Sequence, residues 1–256
     1  MKLIETIAVA FSMYSAIPVP RLEWNERNMK YAMAAFPLVG LVTGASEWAA
    51  LKAAVALNLP TLLRGAILCV IPVLITGGIH FDGYCDTCDA LASHAAPEEK
   101  HAIMKDPHIG AFAAIHLAVY FVLSFALWAC FPEGLSLMLL PLFCISRCLS
   151  GFSICFFPLA KDTGLAYIFA KAADRKRTML ILAVMLLLSA FAAVLSGSLA
   201  GAAAVTVALV MFVYYYFVVT RQFAGLSGDL AGWFLQKCEL WMLAAAVITE
   251  VLRDLT

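Results

Sequence analysis

Apolar residues run along this chain in long unbroken blocks, and the polar residues between them are gathered into short connections. Six blocks, 31–51, 109–132, 135–159, 178–198, 199–220 and 230–252, reach the length of about 20 residues that a helix needs to cross hydrocarbon. A further block at 65–79 is shorter but continuous, and 3–17 is marginal. The pattern predicts an all-α polytopic integral membrane helix bundle of 7–8 segments, a single membrane-embedded domain over residues 1–256. Gly40 and Gly44 put a small-x-x-x-small face on the second segment, suited to close helix packing.

The connections fall at 18–30, 52–64, 80–108, near 133, 160–177, near 198 and 221–229. Two crossings separate each of 18–30, 80–108, 160–177 and 221–229 from the next, so these four share one face of the membrane. That face carries eleven basic residues, among them Lys30, Lys100, Lys105, Lys161 and Arg221. The opposite face has Lys52, Arg64 and Arg253, joined by Lys2 if the first segment spans. The positive-inside rule places the richly basic face in the cytoplasm, as for a multi-pass protein of a prokaryotic inner membrane.

Composition agrees with lipid as the solvent: of 256 residues 64% are hydrophobic and 13% charged, more apolar surface than a soluble domain of this length could bury. With 17 basic and 17 acidic residues the net charge is zero, which argues against a nucleic-acid binder driven by phosphate neutralisation. The N-terminal "MKLIETIAVAFSMYSAIPVPR" offsets Lys2 with Glu5 and continues into Pro-x-Pro without a small-residue cleavage site, so it is read as mature chain. Six of the eight cysteines lie in apolar runs, where cysteine behaves as a small hydrophobe. Cys85 and Cys88 form C-x-x-C, yet no second ligand pair and no thioredoxin-like context accompanies them, and they are read as small residues filling a packed turn.

The chemistry gathers in "GGIHFDGYCDTCDALASH". Asp82, Asp86 and Asp89 are spaced by four and three, which on a helix sets three carboxylates along one stripe. Unpaired they repel; a divalent cation relieves this, and Mg2+ prefers a few carboxylates plus substrate phosphates. In a chain so poor in charge, such a cluster at a membrane boundary is a functional-site hypothesis. Gly77, Gly78 and Gly83 flank it and permit a sharp change of direction. His80 beside it can serve as ligand, proton carrier or interface residue.

"PEEKHAIMKDPHIGAF" predicts a short amphipathic helix begun by Pro97, a turn at Asp106-Pro107 and re-entry after Gly110. Lys105 is placed to neutralise a phosphate and Asp106 to extend a metal site; both can equally be helix-end charges. Arg147 sits in the middle of an apolar span and needs an internal partner, a carboxylate or a phosphate. Glu47 and Glu239 are the embedded carboxylates available to it. Asp229 lies in the glycine-rich turn "GLSGDLAGW", as a helix N-cap or a site residue, and Lys161 and Gly164 complete the polar set.

Taken together these blocks resemble the cobalamin synthase family, the adenosylcobinamide-GDP ribazoletransferases. "FSMYSAIPVP", "FPLVGLVTG", "GGIHFDGYCDTCDAL", "IMKDPHIGAF", "ISRCLSGFSICFFPLAKDTGLA" and "GLSGDLAGWFLQKCEL" are similar to successive family blocks, in the same order, over nearly the whole chain. The departures are Cys85 and Cys88 where small residues are more usual, and Pro107-His108 in place of a serine-arginine pair. The resemblance implies an Mg2+-dependent membrane transferase. A hydroxyl of α-ribazole, or of its 5′-phosphate, attacks the cobinamide-linked phosphate of adenosylcobinamide-GDP and GMP leaves. With it, the expected catalytic set is His80, Asp82, Asp86 and Asp89, the three aspartates holding the metal. Gly77, Gly78, Lys105, Asp106, Arg147, Lys161, Asp229 and Glu239 are expected around the substrates. Lipid is the implied surrounding, and self-association or contact with other enzymes of the pathway is compatible with it. Two other readings are weaker. A CDP-alcohol phosphotransferase would need an A-R pair where Cys85-Asp86 stands, and a cation transporter would place its acids at mid-membrane with an inverted repeat.

Overall fold

A computed structural model of the chain describes residues 2–20, 22–160 and 163–255. Among these residues it is helical throughout and holds no strand. In chain order the helices are α1 (Lys2–Tyr14), α2 (Glu26–Met29), α3 (Ala32–Ala56), α4 (Thr61–Thr76), α5 (Ile79–Ala92), α6 (Pro97–Ile103) and α7 (Ala111–Ala129). A 3-10 turn, Glu133–Met138, then leads into α8 (Leu139–Phe156), followed by α9 (Leu165–Ala172), α10 (Arg175–Gln222) and α11 (Gly228–Asp254).

The centre of the bundle is α8, buried along almost its whole length and packed against α3, α10 and α11. Gly40 and Gly44 allow the closest of these contacts. A Cβ on Gly40 would lie 2.2 Å from the Phe143 carbonyl oxygen, and one on Gly44 2.4 Å from that of Leu139. The expected small-residue face is therefore used, and backbone meets backbone between α3 and α8. Around the outside, α7 and α10 turn Val122, Leu187, Phe191 and Leu195 outward, each more than 60% exposed. Apolar side chains presented all round a bundle are what a hydrocarbon solvent stabilises.

The expected 7–8 crossings are not confirmed by helix length and hydropathy alone. Four helices among the described residues are long and apolar enough to cross a membrane, α3, α7, the turn with α8, and α10, or five if the bent pair α4 and α5 is one span. The differences have local causes. α1 has only 13 residues, about 20 Å of helix. α11 is long enough, but Gln236, Lys237 and Glu239 make its middle too polar. α10 is interrupted at Ser198, whose φ 48° and ψ −121° are not helical, and there the chain reverses. A Cβ on Gly201 would lie 2.0 Å from the carbonyl oxygen of Ala193, a residue eight positions away and about 12 Å distant along a straight helix. The apolar blocks 178–198 and 199–220 are thus two limbs meeting at Ser198.

The connections sort into two ends, as the pattern of crossings predicts. Lys100 donates from Nζ to Gln222 Oε1 at 2.6 Å, and His101 Nε2 lies 2.7 Å from the Phe223 carbonyl oxygen, joining α6 to the α10–α11 connection. Leu226 N donates to Pro158 O at 2.7 Å and Ala160 N to Leu226 O at 3.1 Å, joining that connection to the one after α8. Asp174 N donates to Lys30 O at 3.2 Å, bringing in the N-terminal connection. At the opposite end Arg64 Nη1 meets Glu133 Oε1 at 2.8 Å.

Candidate functional site

The site is made by an elbow. α4 stops at Gly77 (φ 65°) and α5 starts from Gly78 (φ 77°), two left-handed residues in succession that only glycine adopts without strain. The helices on either side are bent by 97°, so α5 leaves the line of α4 and carries its polar face along the basic end of the bundle. Gly83 lets α5 lie on the start of α11: a Cβ there would be 2.6 Å from the Asp229 α-carbon. Gly232 faces the backbone of His80 in the same crossing, with the His80 carbonyl oxygen 3.0 Å from where its Cβ would be.

An open cleft of about 760 Å3 runs along this elbow, lined by Gly77, Gly78, Asp82, Asp86, Lys105 and Asp106, with Cys85 among them. Six residues expected at the site from sequence are brought together here. Asp82 is exposed and Asp86 half-buried. Burial first, then the negative charges of Asp82, Asp229 and Asp89, push the Asp86 carboxyl up to about 6. Asp106 is held below its ordinary range by hydrogen bonds from His108, the backbone N at 3.0 Å and Nδ1 at 2.7 Å. Asp82 also lines a second, smaller cavity of about 220 Å3 with Asp229, His80, Tyr14 and Phe36.

The other expected residues go elsewhere. Asp89 accepts from Gly110 N at 2.7 Å and from Ala113 N at 2.8 Å; both of its oxygens satisfy free amides at the start of α7, a capping role supplied from another helix. Asp229 is not an N-cap, because Ser227 holds that position and accepts from Leu230 N at 3.3 Å. Asp229 lines the second cavity instead. Arg147 and Glu239 form an ion pair inside the bundle, Nη1 to Oε1, with Ser146 Oγ donating to the same oxygen at 2.7 Å. Of the two embedded carboxylates open to Arg147, Glu239 is the partner; Glu47 is buried in α3 without a hydrogen bond to either oxygen. Lys161 lies outside the described residues. Cys88 is buried, Cys85 half-buried, and all eight cysteines are free thiols.

Among the described residues no three His, Cys, Asp or Glu side chains converge into a ready-made metal cage. The donor set nevertheless fits Mg2+, which takes one or two carboxylates and completes its shell with water and phosphate oxygens. Asp82 and Asp86 are one helical turn apart on the open cleft, and the charge repulsion at Asp86 is the imbalance a divalent cation removes. Three site features were not anticipated. Asp89 as a cap needed its partner helix to be known; Tyr14 and Phe36 lay within the family-like blocks without being singled out; so did Ser150, also on the second cavity.

Compared with known proteins, the chain matches the cobalamin-5-phosphate synthase family over residues 6–247. It is 39% identical to a protein of Lachnoclostridium phytofermentans named adenosylcobinamide-GDP ribazoletransferase, over 98% of this chain and 96% of that one. A protein of the same name from Clostridium botulinum is 36% identical over 96% of this chain and 98% of its own length. Another from Desulfitobacterium hafniense is 31% identical over 93% and 94%. No solved structure matches.

Proposed function

This chain belongs to the cobalamin-5-phosphate synthase family, and from that premise we propose that it is an adenosylcobinamide-GDP ribazoletransferase acting at the cytoplasmic face of a prokaryotic inner membrane. The reaction is the nucleotide-loop assembly step of cobalamin synthesis. A ribose hydroxyl of α-ribazole, or of its 5′-phosphate, forms a bond to the cobinamide-linked phosphorus, the bridging P–O bond to GMP breaks, and the hydroxyl proton passes to a base. The observation that carries the reading is the acidic elbow, where Asp82 and Asp86 front an open cleft beside Gly77, Gly78 and Lys105.

Asp82 and Asp86 would hold Mg2+, which when bound supplies neutralisation of the diphosphate charge. Asp82 lines both the cleft and the second cavity, which makes it the carboxylate best placed to accept the hydroxyl proton. Lys105 offsets phosphate charge at the rim, and the Gly77-Gly78 backbone lets the diphosphate approach closely. Asp229 orients the acceptor from the α11 side. Arg147 and Glu239 act behind these groups by fixing α8 against α11. The finer topology goes with this reading: the four cross-linked connections on the cytoplasmic side, and α10 crossing twice.

The test is GMP and cobalamin formation by purified protein in liposomes given adenosylcobinamide-GDP, α-ribazole and Mg2+. Product is expected from the wild type and not from Asp86→Asn. Absence of product from folded wild type, with ribazole phosphate also tried, would reject the activity; equal rates with and without Mg2+ would reject the metal.

A further inference from the structure

Behind Asp82 the second cavity, of about 220 Å3, is lined by aromatic residues and by two acids. Tyr14 from α1, Phe36 from α3 and His80 from α5 meet there, with ring centroids 4.2 Å apart for Tyr14 and Phe36, 6.2 Å for Tyr14 and His80 and 6.1 Å for Phe36 and His80. Phe36 is 2% and His80 4% exposed. Nε2 of His80 is buried and hydrogen-bonds to no protein atom, although a buried ring nitrogen without a partner is costly and is normally satisfied. Asp82 and Asp229 are the acids, where the cavity meets the start of α11.

Resting on the transfer reaction above, we propose that this cavity is the binding site of the acceptor nucleoside. The planar benzimidazole of α-ribazole lies against Tyr14 and Phe36, its free ring nitrogen accepts from Nε2–H of His80, and its ribose faces Asp82 and Asp229. Three properties fit together. An aromatic wall suits a flat heterocycle. The orphaned His80 nitrogen, as a donor, matches the single acceptor that N-glycosylated benzimidazole keeps in its ring. Size separates the two substrates: a space of about 220 Å3 takes a small nucleoside and is too small for a corrin macrocycle, whose diphosphate arm is left to the open cleft. Asp82 lines both spaces, so the ribose hydroxyl and the diphosphate meet at one carboxylate. His80 is on this account a specificity-determining residue that reads the base.

The experiment is steady-state kinetics in liposomes with Mg2+ for the wild type, His80→Ala and Phe36→Leu, with indole riboside as a second acceptor that lacks the ring nitrogen. Both variants are expected to raise the KM for α-ribazole about tenfold, the scale of one lost aromatic or hydrogen-bonding partner, with the KM for adenosylcobinamide-GDP unchanged. The wild type is expected to favour α-ribazole over indole riboside, and His80→Ala to lose that preference. Equilibrium dialysis of α-ribazole with the protein alone should show retention by the wild type and none by Ser150→Phe, which fills the cavity. A KM effect confined to adenosylcobinamide-GDP, unchanged kinetics in both variants, or α-ribazole retained equally by Ser150→Phe would overturn the assignment. A wild type that binds α-ribazole but releases no GMP would reject the reaction and not the cavity.

Discussion

Gly83 and Asp229 touch through their backbones, a Cβ on Gly83 falling 2.6 Å from both the α-carbon and the carbonyl oxygen of Asp229. That closeness is what sets Asp229 on the same cavity as Asp82, although the two residues lie on helices far apart in the chain. Because the obstruction is main chain, no side-chain rotation relieves it.

Gly83→Ala should therefore force α11 off α5. The expected cost is about 1–3 kcal/mol, as for overpacking elsewhere, together with a loss of turnover of at least about tenfold from displaced carboxylates. Thermal unfolding in detergent and GMP release measure the two effects; alanine tolerated in both would mean that the crossing has room to relax.

Asp86→Asn should leave the protein folded and lower kcat by about 100-fold or more, the scale of losing a charged group that acts in the transition state. Titrating Mg2+ into the variant should show a weakened half-saturation. Near-normal turnover would remove Asp86 from the centre of the site.

Asp89→Ala has a different expected signature. Two amides at the start of α7 lose their acceptor, for a cost of about 1–2 kcal/mol, and the Mg2+ half-saturation stays at the wild-type value. A weakened Mg2+ response with normal stability would instead place Asp89 in the metal shell.

The Arg147–Glu239 pair should show strong coupling. Removing one partner, as in Arg147→Met or Glu239→Leu, leaves a buried charge and is expected to cost about 3–5 kcal/mol, and the double variant should recover much of it. Denaturation of all four proteins in one detergent gives the coupling energy, and additive losses would argue that the two side chains act independently.

Much of this arrangement is legible from residue type and spacing. Two adjacent glycines before a polar helix announced the elbow, Pro97 and Gly110 bracketed α6 and opened α7, and an arginine inside an apolar span demanded the carboxylate it has. The separation of connections into two ends followed from counting crossings by parity. What could not be read was any feature fixed by a partner distant in sequence. The i, i+4, i+7 stripe of Asp82, Asp86 and Asp89 is real, but α7 takes the third member, and no local pattern around Asp89 distinguishes it from the other two. Standing in a turn, Asp229 was open to both a cap and a site role, and only the structure shows that Ser227 two residues earlier has the extended backbone that capping requires. The number of crossings is legible only in part for a related reason: α11 is internal enough to carry Lys237 and Glu239, so its hydropathy understates its burial.

The clasp between Arg64 and Glu133 and the reversal at Ser198 leave little chain outside the bundle away from the acidic elbow, while the opposite side is stitched from four long connections. To a protease confined to one side of a sealed vesicle these are two unlike surfaces. Inserted one way round, the protein would be clipped within residues 93–96, which are mostly exposed; inserted the other way, it would come through intact. The pattern of fragments would thus report which way the molecule faces, independently of whether it is turning over substrate.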